Sequence, residues 1–288
     1  MKRSGCPLKG SDTLVFLFKI IPTGLISRVF GWIARIPLPG FILSPVIGWY
    51  CGKFGVNRDE ISDETPFKNL DQFFTRKLKS GTRPIDGAPR SIVSPVDAKV
   101  EGFGAIDGTS IMQAKGIDYS LSDLLPSDYH RHFIDGSFMT LYLSPGDYHR
   151  IHSPVDGQIE GYYALPGKLY TVQEFMVRGV KGLYSLNERL ISYIHAGSGR
   201  VAVCMIGAMN VGRISFSHAD VETNGCFKKR TEYFFPEDRR PVTAKGDELG
   251  IFHLGSTIIL LFQKGSVKIE SPPPGTAVRF GSVIGRFI

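Results

Sequence analysis

Gly255-Ser256, 33 residues from the C-terminal end, is the pair in this chain with the most distinctive chemistry. A serine that follows a glycine can attack the carbonyl behind it, because glycine has no side chain in the way and its backbone takes strained angles. That attack is an N→O acyl shift, the first step of protein self-cleavage. Taken alone, a Gly-Ser at the head of the apolar run Thr257-Ile258-Ile259-Leu260-Leu261-Phe262 is most simply a turn entering a strand. Activating Ser256 needs a base, and the base needs an orienting acid. His149 and His152 are the candidates for the base. They follow a predicted strand over Phe138–Leu143, where it gives way to Ser144-Pro145-Gly146, and a strand end is a rigid mount for a side chain. Read as a His-x-x-His metal pair they lack a third ligand at convincing spacing, so no metal is expected. His130 and His132 fall in a polar stretch that reads as loop. Asp97 and Asp156 compete for the acid. Each follows Ser-Pro-Val, spacing alone does not choose between them, and an aspartate in such a turn often only caps it.

The elements that must position these groups follow from punctuation and periodicity. Ser94-Pro95-Val96-Asp97-Ala98-Lys99-Val100-Glu101-Gly102-Phe103 returns 59 residues later as Ser153-Pro154-Val155-Asp156-Gly157-Gln158-Ile159-Glu160-Gly161-Tyr162. Each copy reads as a turn feeding a strand that ends at the glycine, and together they predict paired hairpins around a sandwich or barrel. A second echo relates Asp128-Tyr129-His130-Arg131-His132 to Asp147-Tyr148-His149-Arg150-Ile151-His152. Phe67 to Leu78 predicts a helix, with Phe67, Leu70, Phe73, Phe74 and Leu78 on one stripe. From Ser91 onward, short runs punctuated by Gly and Pro predict an all-β or α+β body. Gly281-Ser282-Val283-Ile284-Gly285 is similar to the hairpin of lipoyl- and biotinyl-type domains, but no lysine stands at a hairpin tip to serve as a swinging arm.

Charge is unevenly spread. Residues 1–58 hold eight Lys/Arg against the single acid Asp12, the whole of the net charge of +7, while the remaining residues balance. The same region is apolar over residues 14–52 and contains the only tryptophans, Trp32 and Trp49. A basic, apolar N-terminus on a neutral body favours an anionic membrane surface over nucleic acid. A spanning helix needs about 20 uninterrupted apolar residues, and Pro37, Pro39 and Pro45 break this stretch. Two or three short helices lying in the membrane interface are expected, one of them an amphipathic helix over residues 24–35. A helical hairpin packed on the body is the plain alternative. A signal peptide is the other, and Lys19 and the lack of a small-residue cleavage site argue against it. Cys6, Cys51, Cys204 and Cys226 form no CxxC, so neither zinc nor a disulfide framework is implied and a reduced, cytosolic setting fits.

Taken together the motifs resemble the pyruvoyl-dependent phosphatidylserine decarboxylase proenzymes of the bacterial, membrane-associated type. The resemblance runs from about Phe67 to Lys264. It rests on Phe73-Phe74-x-Arg76, Arg83-Pro84-Ile85-Asp86, the Ser-Pro-Val-Asp97 turn and Gln113-Ala114-Lys115-Gly116-x-x-Tyr119-Ser120-Leu121. Tyr142-Leu143-Ser144-Pro145-x-Asp147-Tyr148-His149-Arg150-x-His152, Asn187-Glu188-Arg189 and Leu254-Gly255-Ser256-Thr257 complete it. The N-terminal helices match in character only, and no tail beyond the core is expected. The resemblance implies a processing triad of Asp97, His152 and Ser256, with His149 serving substrate handling and decarboxylation. It implies an α+β fold: membrane-interface helices over residues 1–58, then a mainly antiparallel sandwich- or barrel-like catalytic domain over 59–288. It also implies cleavage between Gly255 and Ser256 into a β chain, 1–255, and an α chain, 256–288, which stay associated. Homo-oligomers are compatible with it.

The implied chemistry follows. His152, held by Asp97, takes the Ser256 proton and the Gly255 carbonyl is attacked. The ester eliminates, freeing the 1–255 chain as a carboxylate and leaving dehydroalanine, which hydrolyses with loss of ammonia to an N-terminal pyruvoyl group at residue 256. That covalent cofactor forms a Schiff base with the serine amine of phosphatidylserine, accepts the electrons left as CO₂ departs, and yields phosphatidylethanolamine, a step of phospholipid biosynthesis. Lifting a lipid from the bilayer costs about 0.8 kcal/mol per exposed CH₂, so a peripheral location on the cytoplasmic face of the cell membrane is expected. Residues 1–52 are then needed for lipid turnover and dispensable for cleavage. Two other readings stand beside it: a Ser/His/Asp hydrolase using the same three residues, which lacks a Gly-x-Ser-x-Gly elbow, and a membrane-bound β scaffold that binds lipid through residues 14–52 and never cleaves.

Overall fold

The computed structural model describes residues 9–63, 66–114, 116–209, 213–224, 229–253 and 257–288, with side chains from residue 13 onward. Three helices come first: α1 (Lys9–Ile20), α2 (Thr23–Ala34) and α3 (Gly40–Phe54). Pro37 and Pro39 separate α2 from α3 as the sequence predicts, but Pro45 lies inside α3, in its second turn, so this proline does not break the apolar stretch. The predicted helix over Phe67–Leu78 shrinks to α4 (Leu70–Phe74). Asn69 starts it by accepting the Gln72 N–H at 2.9 Å, and the Thr75 hydroxyl closes it on the Asp71 carbonyl at 2.9 Å. Leu78 then bridges to Ile61 as extended chain. Three further short helices, α5 (Leu121–Leu124), α6 (Glu174–Gly179) and α7 (Leu183–Leu186), punctuate the β body.

The body is mixed α+β and mainly antiparallel. Its large sheet runs in the order β11 (Thr231–Phe234), β7 (Gly157–Leu165), β8 (Arg189–Ala196), β9 (Gly199–Ile206), β14 (Thr257–Phe262), β5 (Ser137–Tyr142), β2 (Ala98–Ala105), β16 (Ala277–Val278). β12 (Val242–Thr243) also joins β7. This path has two ends, so among the described residues the sheet does not close and the expected barrel does not form. β14 is its centre: six consecutive buried residues, paired over their whole length with β9 on one side and β5 on the other. That explains an apolar run with no alternation, since both of its faces and both of its edges are covered.

Two three-stranded sheets accompany it: β1 (Ser91–Val93) with β17 (Val283–Phe287) and β15 (Val267–Ile269), and β6 (Arg150–His152) with β13 (Glu248–Phe252) and β10 (Ile214–Phe216). A hairpin of β3 (Ser110–Ala114) and β4 (Ile117–Ser120) completes the strands. The two three-stranded sheets are copies of each other. Val93 donates to the Pro154 carbonyl and His152 to the Pro95 carbonyl, both at 3.0 Å, so the two Ser-Pro-Val-Asp turns are joined reciprocally. Each turn is then met by a Gly-x-x-x-Gly segment. Gly281 donates to the Ser94 carbonyl at 3.0 Å, and Gly246 to the Ser153 carbonyl at 2.9 Å. Both glycines have positive φ, 86° and 92°, the left-handed region that side chains disfavour. The sequence shows the 281–285 segment, but its partner Gly246-Asp247-Glu248-Leu249-Gly250 is equally part of the repeat. The strands after the two turns also differ from expectation. They do not end at Gly102 and Gly161 but shift register there and continue to Ala105 and Leu165, so these glycines mark bulges.

The helices pack on this body at two places. Phe18 of α1 meets Phe175 of α6 edge-on at 5.4 Å. Leu43, Ile47 and Cys51 of α3 form a second apolar cluster with Phe73 and Phe74 of α4, and the Tyr50 hydroxyl donates to the Pro145 carbonyl at 2.7 Å. Their other faces leave large apolar side chains exposed, among them Phe16, Ile20, Trp32, Phe41 and Trp49. Among the described residues no single helix is long and apolar enough to cross a membrane; Thr13–Ile20 and Thr23–Ala34 meet that test only as a pair bent by 66°.

Candidate active site

Both histidines sit where the sequence places them, after β5, and both are buried. His152 ends β6. Its Nδ1 lies 2.7 Å from the Gly246 carbonyl oxygen and its Nε2 3.1 Å from the Tyr148 hydroxyl. A carbonyl only accepts, so Nδ1 carries the proton and Nε2 presents its lone pair to the Tyr148 O–H. Burial pushes the pKa of this imidazole down, with Arg150 acting in the same direction against the Gly246 carbonyl, Glu248 and Asp247. The ring is therefore a neutral base. The Phe280 ring stacks on it at 3.9 Å and 16°.

Asp97 does not touch His152. Its carboxylate is gripped by Arg83, with Nε at 2.9 and 3.1 Å and Nη2 at 2.7 Å, and Oδ1 also accepts the Phe280 N–H at 2.8 Å. The two groups are thus joined through Phe280, whose backbone holds the acid and whose ring covers the base. Arg83 also binds Glu60 at 2.7 Å and lowers its pKa. Asp156, the other candidate, accepts the Lys245 N–H at 2.8 Å in the matching position of the second turn. Its turn contains no ionic partner for it among the described residues.

His149 is fully buried, and neither ring nitrogen has a hydrogen-bond partner among the described residues. Burial chiefly, then the Arg76 charge, pull its pKa down to about 3. Its carbonyl accepts the Phe252 N–H at 2.9 Å. Leu254, Gly255 and Ser256 lie outside the described residues, but both flanks of this segment are fixed. Phe252 bonds to His149, and Thr257 pairs with Tyr142 and Ile206. The stretch from Tyr142 to His152 is therefore met by the chain on either side of Gly255-Ser256. His130 and His132 take no part: they lie on a 3₁₀ turn over Asp128–Phe133, with His130 on the Ser127 carbonyl and His132 against the Tyr129 ring, unlike the strand and turn that hold their sequence echo.

A cleft of about 460 Å³ opens beside Asp97, between the end of α3 and the first turn. Arg76, Arg83, Lys99 and Arg279 line it together with Glu60, Asp97 and Asp147. Arg76 is buried. It donates to the Gly146 and Asp147 carbonyls, while its Nε and Nη1 have no partner among the described residues. Burial raises the Asp147 pKa to about 6, and the nearby Asp97 charge adds to this against the Ser144 N–H and Arg76. Arg76, Arg83 and Tyr148 belong to motifs that sequence reading had already marked, though without roles. Phe280 and the Gly246 carbonyl had no such signal, one lying beyond the marked motifs and the other being backbone.

A buried neutral imidazole, an acid linked to it through a stacked ring, and the tethered flanks of Gly255-Ser256 come together from distant strands of one α+β body, the layout of an enzyme's site. The phosphatidylserine decarboxylase family model matches residues 70–286, and the chain belongs to that family. It is 37% identical over 273 residues to a phosphatidylserine decarboxylase proenzyme of an Anaeromyxobacter species, covering 93% of this chain and 95% of the relative. The corresponding proenzyme of Myxococcus xanthus is 36% identical, covering 95% of this chain and 98% of the relative. That of Vibrio cholerae is 38% identical, covering 91% and 94%. The likeness thus extends past Lys264 and into the N-terminal helices.

Proposed function

We propose that this chain cuts itself between Gly255 and Ser256 and then decarboxylates phosphatidylserine to phosphatidylethanolamine at a membrane surface. The observation that carries the reading is the tethering of the Gly255-Ser256 flanks to the strand and turn that bear both histidines. His152 is the base. Its Nε2 lone pair can take the Ser256 proton directly or through the Tyr148 hydroxyl it already contacts. The Gly246 carbonyl fixes the tautomer, and Asp97 acts by holding Phe280 against the ring. A Ser/His/Asp hydrolase would want a carboxylate on Nδ1, where this chain has a carbonyl.

A pyruvoyl group made from Ser256 supplies, once formed, the electrophilic ketone that stabilises the electrons left by CO₂. The surroundings fit such a group. His149 offers a buried imidazole whose ring nitrogens lack a well-formed hydrogen bond among the described residues, a cost that a substrate or the modified residue 256 would relieve. Neutral at ordinary pH, His149 can donate a hydrogen bond from one ring nitrogen and accept one at the other, and so orient a group placed against it. The cleft at Asp97 carries four cationic side chains against three carboxylates, which suits a headgroup with one net negative charge. Lys99 stands two strands from Thr257, in register through Tyr142, roughly 10 Å across the sheet.

The exposed apolar faces of α1, α2 and α3, with the basic residues 1–58, support peripheral docking on an anionic bilayer. After the cut, β14 would stay between β9 and β5, β16 on β2 and β17 on β1, pairings that all cross the cut and support lasting association of the two chains. Intact-mass measurement of purified protein tests the reading. Two chains of 1–255 and 256–288 are expected, the second blocked by a carbonyl that hydroxylamine traps, with CO₂ release from phosphatidylserine vesicles. A Ser256→Ala protein stays whole and inactive. A wild-type chain that remains whole would overturn the proposal.

A further inference from the structure

The residue three before Ser256 is held by a side chain from the helical layer. His253 is buried, and its Nδ1 lies 2.8 Å from Asp71 Oδ1 in the first turn of α4. Its backbone N–H bonds to the Arg213 carbonyl at 3.0 Å, and the Arg213 guanidinium lies 3.8 Å from the same aspartate. Helix α4 is in turn tied to the end of α2: the Asn69 amide donates to the Arg35 carbonyl at 3.1 Å, and the Leu38 N–H to the Lys68 carbonyl at 2.9 Å. The repeat supplies an internal control. The position matching His253 in the other copy is Ile288, whose N–H likewise bonds to a carbonyl, that of Ser266 at 2.9 Å, but whose side chain is apolar and exposed. Only the copy that leads into Gly255-Ser256 carries a polar side-chain clamp.

We propose that Asp71 and His253 are positioning residues for self-cleavage: the pair fixes the end of β13 to α4, and through α4 to the membrane-facing helices, so that the Gly255 carbonyl is presented to Ser256. The inference rests on the reading that this bond is cut. Backbone hydrogen bonds to His149 and Arg213 set the strand, but they leave rotation of the following residues free, and an acyl shift tolerates little misalignment. The pair also connects two parts that the sequence treats as separable, the anchor and the processing chemistry.

Conversion of the full-length chain into its two fragments, followed by intact mass over time, tests this. The wild-type chain is measured first. If it never splits, the self-cleavage reading fails and not the clamp. If it splits, His253→Ala and Asp71→Ala should each slow conversion roughly tenfold or more. The double variant should be no slower than either single one, because the two act as a unit. Asp71→Asn keeps an acceptor for Nδ1–H and should cleave within about threefold of wild type. His253→Phe keeps the ring's bulk without its nitrogen and should be as slow as His253→Ala. It also decides the case if the alanine variant proves unfolded by circular dichroism. Wild-type conversion by His253→Phe, or single-variant effects that multiply in the double, would overturn the proposal.

Discussion

The two Ser-Pro-Val-Asp turns share a backbone and part company in chemistry. In each, the serine hydroxyl donates to the carbonyl two residues on at 2.7 Å, and the aspartate accepts one N–H from the segment that crosses it at 2.8 Å. The first turn is preceded by Val93 and crossed by Phe280; the second is preceded by His152 and crossed by Lys245. Because the turns exchange hydrogen bonds, the acid of the first and the base preceding the second converge on Phe280, the acid on its backbone N–H and the base on its ring. At the mirror position Lys245 turns its ammonium to the Ala88 carbonyl and the Ser91 hydroxyl, 2.7 and 2.6 Å away, and simply secures the chain before β1. A duplicated scaffold thus places two equivalent turns, and differences at two positions, the residue before the turn and the residue that crosses it, set their surroundings apart.

The comparison breaks most sharply at Asp97. Asp97→Ala leaves the partly buried Arg83 with Glu60 as its only ionic partner. It should cost about 3 kcal/mol of stability, read by urea unfolding in the uncleaved Ser256→Ala background, and processing of the otherwise wild-type chain should all but stop. Phe280→Leu leaves the N–H that Asp97 accepts but removes the stacked ring. Cleavage should slow several-fold with a loss of about 1 kcal/mol, whereas Lys245→Met should alter stability by a similar amount and leave the cleavage rate unchanged. Equal rate effects at 280 and 245 would show that the symmetry is functional on both sides.

Acid should separate the turns as well. His149 and His152 have folded-state pKa values below the ordinary 6.5, so the unfolded chain binds protons that the folded chain refuses. Stability is therefore complete above about pH 6.5 and falls as pH drops below it, by up to about 1.4 kcal/mol per pH unit for each histidine. Urea unfolding of Ser256→Ala between pH 7 and 4 measures this, and His149→Phe should flatten the slope. Since His152 stays neutral, the cleavage rate should be level from pH 8 to 6.5. The smallest effect belongs to Asp156→Asn, expected within about 0.5 kcal/mol of wild type and processing normally.

Much of the candidate site is legible in the sequence because its residues lie in short, dense motifs: His149 and His152 beside β5, Asp97 in its turn, Gly255-Ser256 before an unbroken apolar strand. What is hidden has physical reasons. His152 is oriented by the Gly246 carbonyl, and a backbone oxygen leaves no residue type to notice. Asp97 is bonded to Phe280, 183 positions away. The second Gly-x-x-x-Gly segment shares little with the first besides its glycines and a closing phenylalanine, since only the left-handed turn and close strand approach demand identity. The glycines of the repeated strands suggest chain ends, but tertiary pairing carries both strands past them as bulges. The α4 prediction overshoots because Thr75 satisfies the helix's last carbonyls locally, which apolar spacing does not report.

One further consequence attaches to β14. It occupies the middle of the large sheet and belongs to the short piece made by the proposed cut, so neither fragment alone can rebuild that sheet. Before cleavage, the chain finds this arrangement as one molecule with its own tether. Afterwards, unfolding would separate two molecules that must meet again at cellular dilution, one of them exposing the run Thr257–Phe262. The mature protein would then last as long as its barrier to unfolding holds, and each copy folds once.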